Sequence, residues 1–572
     1  MMHTWLPANS HDFLKLSWMQ VKPYFDELEG RTLDAGTLAA WMADWARVGK
    51  LLDESYWYLW VQTTLDTRDP ALETRFITFL SAIHEHAQTA EQRLKRKLLD
   101  SGLKPDRYDA PLRNLRAEAD LFRPANLPLL TEEHRLGHEY DRIRAGQTVT
   151  WNGVETSLVQ LALALHEPDR ALREQAWRLS MARTLQDRAA LNDLWTQLMP
   201  LRGQIAANAG LPDYRAYRWG QMLRLDYTPA DCETFHRSIE AVVVPAAERA
   251  LERRRVRLGV DSIRPWDVDV DPPGSPPLYP FQSVEELAAK AETVLECLDP
   301  QLAEYFRVMR REGLLDLDNR PGKMPSSYCA TYPVRARPFL FMNVVGTHED
   351  VVTLFHELGH AFHAFENARL PYHDQMRIGT EFHEVAAITM ELLAAPYLVE
   401  GGFYTPHEAA HARVTHLETM LRWWPYIAVV DAFQHWAYTH ADAACDPAEC
   451  DAAWADLWAR FMRGEDWRGL DDAMTTGWQR KLHIFRNPFY YIDYGLAQLG
   501  AVQIWARAQH DEADAIARYK HALSLGGTVS LPKLYEAAGA RLAFDADTFA
   551  AAVAVIERAI AELDTGDAVL RG

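Results

Sequence analysis

Cysteine is scarce and poorly placed for cross-linking: the chain has five, Cys232, Cys297, Cys329, Cys445 and Cys450, an odd number without a C-x-x-C pair. This spacing argues against a disulfide scaffold and against a thiolate metal cluster. Reduced thiols in a cytoplasm are expected, with Cys445–Cys450 as the one pair close enough in sequence to bond. Any metal then has to be held by histidine and carboxylate. Long hydrophobic runs are also missing, since nowhere do about 18 uninterrupted apolar residues occur. The opening MMHTWLPANSHDFLKL has no basic segment followed by an apolar one. Neither a membrane span nor a secretory leader is expected. Positive charge is in deficit as well, with 60 Lys and Arg against 80 Asp and Glu and a formal net charge of −20. Such a surface repels nucleic acid and anionic lipid, so no nucleic-acid or membrane partner is expected.

What is present is the composition of a globular protein, 48% hydrophobic and 24% charged over 572 residues, enough for several domains or one large fold. No fixed-period repeat is visible. From about residue 10 to 250 apolar positions recur at three and four, as in LAAWMADWARVGKLLDESYWYLWVQ, and the expectation is helix after helix. The proline-rich DSIRPWDVDVDPPGSPPLYPF (261–281) cannot be continuous helix and reads as a loop. A helical stretch over 283–312 follows. Residues 314–347 then mix turn residues with β-favouring runs such as PFLFMNVV, which reads as a small sheet. Helices return from 349, interrupted at RNPFYY and SLGGTVSLP. The predicted class is mainly α with a minor β element.

One stretch carries the chemistry. FHELGHAFHAFE (355–366) places His356 and His360 four apart, on one face of a helix and one turn from each other, where both imidazoles can meet one metal ion. Glu357 lies about 100° round the same turn, beside the metal, placed to take a proton from water there. A bare His-Glu-x-x-His is weak evidence, but here apolar flanks bury several histidines and a glutamate that need partners. A catalytic zinc commonly has three protein ligands and one open position. His363 is seven residues from His356, a rise of about 10 Å that suits a single small ion badly. The pattern with a third histidine ten residues on also fails, because His363 stands where a glycine would turn the chain and Glu366 stands at the histidine position. The remaining candidates lie in GTEFHEVAAITMELLAAPYLV (379–399), where Glu381, Glu384 and Glu391 share one helical stripe. Spacing alone does not separate Glu381 from Glu384.

With these residues in place, the sequence resembles the oligoendopeptidase F and thimet-oligopeptidase family of zinc metallopeptidases, and more closely the oligoendopeptidase F branch. In that family H-E-x-G-H-x-x-H is followed 28 or 29 residues after the first histidine by a glutamate ligand, then by a further helix acid. Here 384 − 356 = 28 and 391 − 356 = 35. The resemblance therefore implies one zinc ion held by His356, His360 and Glu384, with Glu391 orienting a ligand histidine. It runs over roughly residues 200 to 545, through GQIAANAGLPDYRAYRW, SYCATYPVRARPFLFMNVVGT, KLHIFRNPFYYIDYGLAQLG and ALSLGGTVSLPKLYEAAG. It also implies a division into a helical N-terminal region, 1–200, forming one wall of a deep substrate channel, and a catalytic domain, 201–572. PFLFMNVVGT (338–347) would supply an edge strand beside the zinc helix, open to an extended peptide.

A tetrahedral oxyanion needs a donor besides the metal. The resemblance maps that role onto His483 and Tyr494, with Tyr490 or Tyr491 and His363 as substrate contacts; core packing is the competing role for Phe489 and Tyr490. The implied function is a zinc endopeptidase of short, unfolded oligopeptides with Glu357 as general base. The alternatives are a carboxypeptidase or dipeptidyl carboxypeptidase on the same fold, and an inactive helical scaffold with structural zinc.

Overall fold

Why the chain folds as helices is visible in Leu38–Leu65, where Trp41, Trp45, Val48, Leu52 and Leu59 recur at helical spacing and are all buried. The computed structural model describes residues 6–272, 275 and 278–570. By its internal contacts the chain forms two compact units, each assembled from three separate stretches. The first comprises Met1–Asp120, Leu278–Ala412 and Gly500–Leu542; the second comprises Leu121–Pro277, Arg413–Leu499 and Ala543–Gly572. Among the described residues no helix is long and apolar enough to cross a membrane.

The first unit contains a three-stranded sheet: β3 (Leu315–Asp318), β4 (Tyr328–Tyr332) and β5 (Arg337–Val344), in the order β3-β5-β4. Strand β5 runs parallel to β3, with Leu340 opposite Leu315, and antiparallel to β4, with Phe341 opposite Tyr328. The small sheet expected before the histidine helix is therefore present, but β5 is its central strand. The expectation that 338–347 forms the open edge is overturned, because both of its sides are hydrogen-bonded; the edges belong to β3 and β4. The stretch 283–312 is two helices, Val284–Leu298 and Pro300–Arg311, with Asp299 accepting from the backbone N–H groups of Gln301 and Leu302 at the start of the second.

The second unit has an antiparallel hairpin, β1 (Thr148–Trp151) and β2 (Val154–Ser157), where only helices were expected. Its signal is in the sequence: Asn152 and Gly153, both at positive φ (52° and 82°), make the two-residue turn that right-twisted strands prefer. The core of this unit is aromatic, with Trp478 flanked by Trp195, Phe433 and Phe485 at ring distances of 5.3, 5.7 and 5.8 Å. The proline-rich stretch is a loop with one 3-10 turn, Pro265–Asp267; residues 273, 274, 276 and 277 lie outside the described set. All five cysteines are free. Cys450 is buried and directs its Sγ to the Ala444 carbonyl at 3.3 Å, whereas Cys445 is exposed, so that pair is not bridged.

Candidate metal centre

The site begins where β5 leaves the sheet. Val345, Gly346 and Thr347 donate their backbone N–H groups to Asp350 Oδ2 at 2.9, 2.8 and 2.8 Å, and Thr347 with Asp350 closes a capping box. Gly346, at φ +95°, makes the turn. The helix started in this way, His348–Asn367, is buried along most of its length and carries His356, Glu357, His360 and His363.

A second helix, Thr380–Ala394, lies against it. Gly359 makes the close approach possible: a Cβ there would stand 2.4 Å from the Ala386 carbonyl oxygen and 2.6 Å from the Ala387 Cα. The same Ala386 oxygen accepts from the Tyr519 hydroxyl at 2.8 Å. With the backbones this near, Glu384 Oε2 comes to 3.4 Å from His356 Nε2 and 4.0 Å from His360 Nε2. The three residues each offer a ligand atom within 4.8 Å of the others. Zinc bonds of about 2.0–2.1 Å in tetrahedral geometry put ligand atoms roughly 3.3–3.4 Å apart. The donor set of two imidazoles and one carboxylate is therefore already near the spacing that a zinc ion needs. The other nitrogen of His356, Nδ1, donates to Glu391 Oε1 at 2.6 Å, which directs Nε2 toward Glu384.

Burial sets the electrostatics. Glu357 is 5% exposed, and its Oε2 has no hydrogen-bond partner. Burial first, then Glu384 and Glu391, push its carboxyl up to about 7, against the opposing pull of His356. Burial lowers His356, but hydrogen bonds to Glu384 and Glu391 outweigh it and hold the ring well above its ordinary value. His360 is driven well below by burial and by His383, His356 and His363.

The remaining candidates fall in different places. Glu381 is buried on the same helix as Glu384 but is outside the trio that could share an ion. His363 is buried outside that trio too; it accepts from Asn367 Nδ2 at 3.3 Å, and its ring meets His383 edge-on at 5.7 Å. Glu366 accepts from the Tyr305 hydroxyl at 3.0 Å. His383, not singled out from the sequence, stacks on His360 with centroids 4.1 Å apart. In the second unit His483, Tyr490, Tyr491 and Tyr494 form one aromatic cluster: His483 lies 5.6, 4.9 and 6.1 Å from the three tyrosine rings in turn. Trp423 donates its indole N–H to the Tyr491 hydroxyl at 3.0 Å. Phe489 is fully buried among Trp219, His435 and Tyr438, the core role expected for it.

The second unit also buries Cys232, Asp431 and His435 within ligating distance of one another. The sequence held a signal for this group: Cys232 with His236, and Asp431 with His435, each four apart on a helix. His236 Nε2 donates to Asp431 Oδ2 at 2.8 Å, while Arg215 Nη1 reaches His435 Nδ1 at 3.3 Å. Burial raises the Asp431 carboxyl, but His435 and His236 outweigh it and hold the group well below the usual range. The arrangement is a hydrogen-bonded polar cluster within the core.

The family model for peptidase family M3 matches residues 163–553. The chain belongs to peptidase family M3. The M3 match includes both helices of the metal centre and the His483–Tyr494 cluster. Over almost the whole chain the fold is that of peptidases. A structure of PZ peptidase A with an inhibitor superposes with a TM-score of 0.87 at 25% identity, covering 98% of this chain and 99% of that one. An X-ray structure assigned to an oligoendopeptidase F gives 0.86 at 26% identity, covering 96% and 97%. The chromosomal oligoendopeptidase F of Lactococcus lactis subsp. cremoris is 28% identical over 131 residues, 23% of this chain and 21% of that protein. The aligned segment thus spans about a fifth of that curated relative.

Proposed function

We propose that this M3 family member is a zinc-dependent metalloendopeptidase of short, unfolded oligopeptides. The observation that carries the reading is a buried carboxylate, Glu357, adjoining a His356–His360–Glu384 trio whose ligand atoms are grouped for one ion. Kinship with peptidases over nearly the full chain supports it. When bound, zinc would supply Lewis acidity, polarising a peptide carbonyl and acidifying water.

The chain's own groups do the rest. Glu391 fixes the tautomer of His356 and points its Nε2 inward. Glu357, raised toward neutrality, accepts a proton from the attacking water and returns it to the leaving amine, which a carboxyl of ordinary acidity does less well near pH 7. Tyr494 and His483 are the candidates for donors to the oxyanion, a role that rests on the family resemblance. His363, Tyr490 and Tyr491 are candidates for contacts with the peptide.

The test is a Glu357→Gln variant assayed on internally quenched peptides blocked at both ends. The expected outcome is zinc content equal to wild type and turnover lower by at least about a hundredfold. Wild-type cleavage of peptides blocked at the C-terminus identifies an endopeptidase, and cleavage of free C-termini only identifies a carboxypeptidase. Retention of normal turnover by Glu357→Gln would refute the assignment.

A further inference from the structure

Beside the metal centre, and lined throughout by residues of the first unit, is a cavity of about 520 Å³. His360 and His383 form the wall nearest the ion site. Helix Leu38–Leu65 contributes Asp53 to the lining, and helix Glu85–Ser101 contributes Glu91 and Lys95. The loop between the two metal-centre helices adds Asp374 and Arg377. That loop is pinned from behind. Gln375 Nε2 donates to the carbonyls of Asp106 and Arg107 at 3.2 and 3.1 Å, and Gly527 packs so closely that a Cβ would stand 1.9 Å from the Arg377 oxygen. A peptide held at the ion would therefore find a preformed recess next to it rather than a yielding surface.

Its charges are unbalanced. Both cations are already engaged: Lys95 Nζ donates to Glu118 Oε2 at 2.6 Å and Arg377 Nη2 to Glu118 Oε1 at 3.1 Å. Asp374 accepts from the Tyr108 hydroxyl at 2.7 Å. Asp53 and Glu91 remain. The nearest basic group to Asp53 is His373, 3.9 Å away, and burial lowers that ring, which disfavours its charged form. Counting Glu118, which lies behind the lining and holds both cations, four carboxylates stand against two cations, and Asp53 and Glu91 are the two lining acids left over. Asp53 lines the cavity and keeps 39% of its side chain accessible. Burial raises both carboxyls, Glu91 to about 7, and the opposing pulls of Lys95 and Arg377 on Glu91 and of His373 and Arg377 on Asp53 do not outweigh it.

We propose that this cavity is the subsite for a basic side chain, lysine or arginine, on the residue next to the scissile bond, with Glu91 and Asp53 reading its charge. The cationic head meets the two carboxylates, and the aliphatic stem lies along Trp45 and Trp57. Uncharged and acidic side chains gain no counter-ion there, so selectivity arises from charge at one position while the rest of the peptide is read loosely.

This rests on the peptidase reading, and the test separates the two. The zinc-loaded full chain is assayed on quenched alanine-based peptides that differ only in carrying one lysine or one norleucine, with products identified by mass. Wild type should cut the lysine peptide with a kcat/KM on the order of tenfold higher, always on the same side of the lysine. In the Glu91→Gln/Asp53→Asn double variant the lysine-to-norleucine ratio should fall to near unity, and in Glu91→Lys it should fall below one. A ratio within one preparation is insensitive to partial loss of folded protein. Cleavage of both peptides at a ratio that these substitutions leave unchanged overturns the subsite and leaves the peptidase standing. Failure to cut either peptide overturns both.

Discussion

Glu391 contributes no atom to the candidate ion site, yet the orientation of His356 depends on it. Its carboxylate accepts a hydrogen bond from Nδ1–H at 2.6 Å, so the ring presents Nε2 as a lone pair instead of rotating or switching tautomer. Glu391→Ala should therefore lower zinc affinity by about 10–100-fold while leaving helix content intact, measurable by competition against a chromophoric chelator and by circular dichroism. An affinity equal to wild type would mean that helix packing alone orients His356. At this scale the sequence was legible in part. The spacing of His356, Glu357 and His360 defined two donors and an acid, whereas Glu381 and Glu384, on the same stripe of the next helix, could not be told apart by periodicity. What separates them is the approach distance between two helices, a tertiary quantity, and only Glu384 comes within reach of the histidine pair.

Between elements, Gly359 sets that approach distance. In an exposed helix, replacing glycine by alanine stabilises by about 1 kcal/mol through backbone entropy. Here the added Cβ would meet backbone, the Ala386 oxygen at 2.4 Å and the Ala387 Cα at 2.6 Å, and backbone cannot swing aside. The cost of forcing such a contact, about 1–3 kcal/mol, exceeds the gain. Gly359→Ala should lower Tm and also weaken zinc binding, because the helices part along the line that brings Glu384 to the histidines. A stabilised variant with unaltered zinc affinity would contradict the close-packing account. Helices were readable from their apolar periodicity, and the sheet near 314–347 from its β-rich composition. Strand order was not, since PFLFMNVV carries no mark that distinguishes a central strand from an edge. The Asn152–Gly153 hairpin is the opposite case: its turn chemistry was present in the sequence, but the helical context on either side hid it.

For the whole molecule, the question is how far the fold depends on the ion. The residues proposed to hold it lie within one stretch of the first unit, on two helices that also bury Phe355, Leu358, Phe362, Val385, Ile388 and Leu392. At about 25 cal/mol per Å² of apolar surface, several such side chains contribute more than one bound ion does at modest excess. An ion that binds the folded chain alone adds about 2.7 kcal/mol at a hundred times its Kd. Removing it should accordingly leave the helical circular dichroism unchanged at 25 °C, abolish peptide cleavage, and lower Tm by a few degrees, all restored by adding zinc. Loss of the helical signal on chelation at that temperature would instead mark the ion as a structural element. No single-sequence pattern settles this point, because each unit is assembled from three distant stretches of chain. The balance between ion and core is a property of how those stretches pack, and the chelation experiment measures it directly.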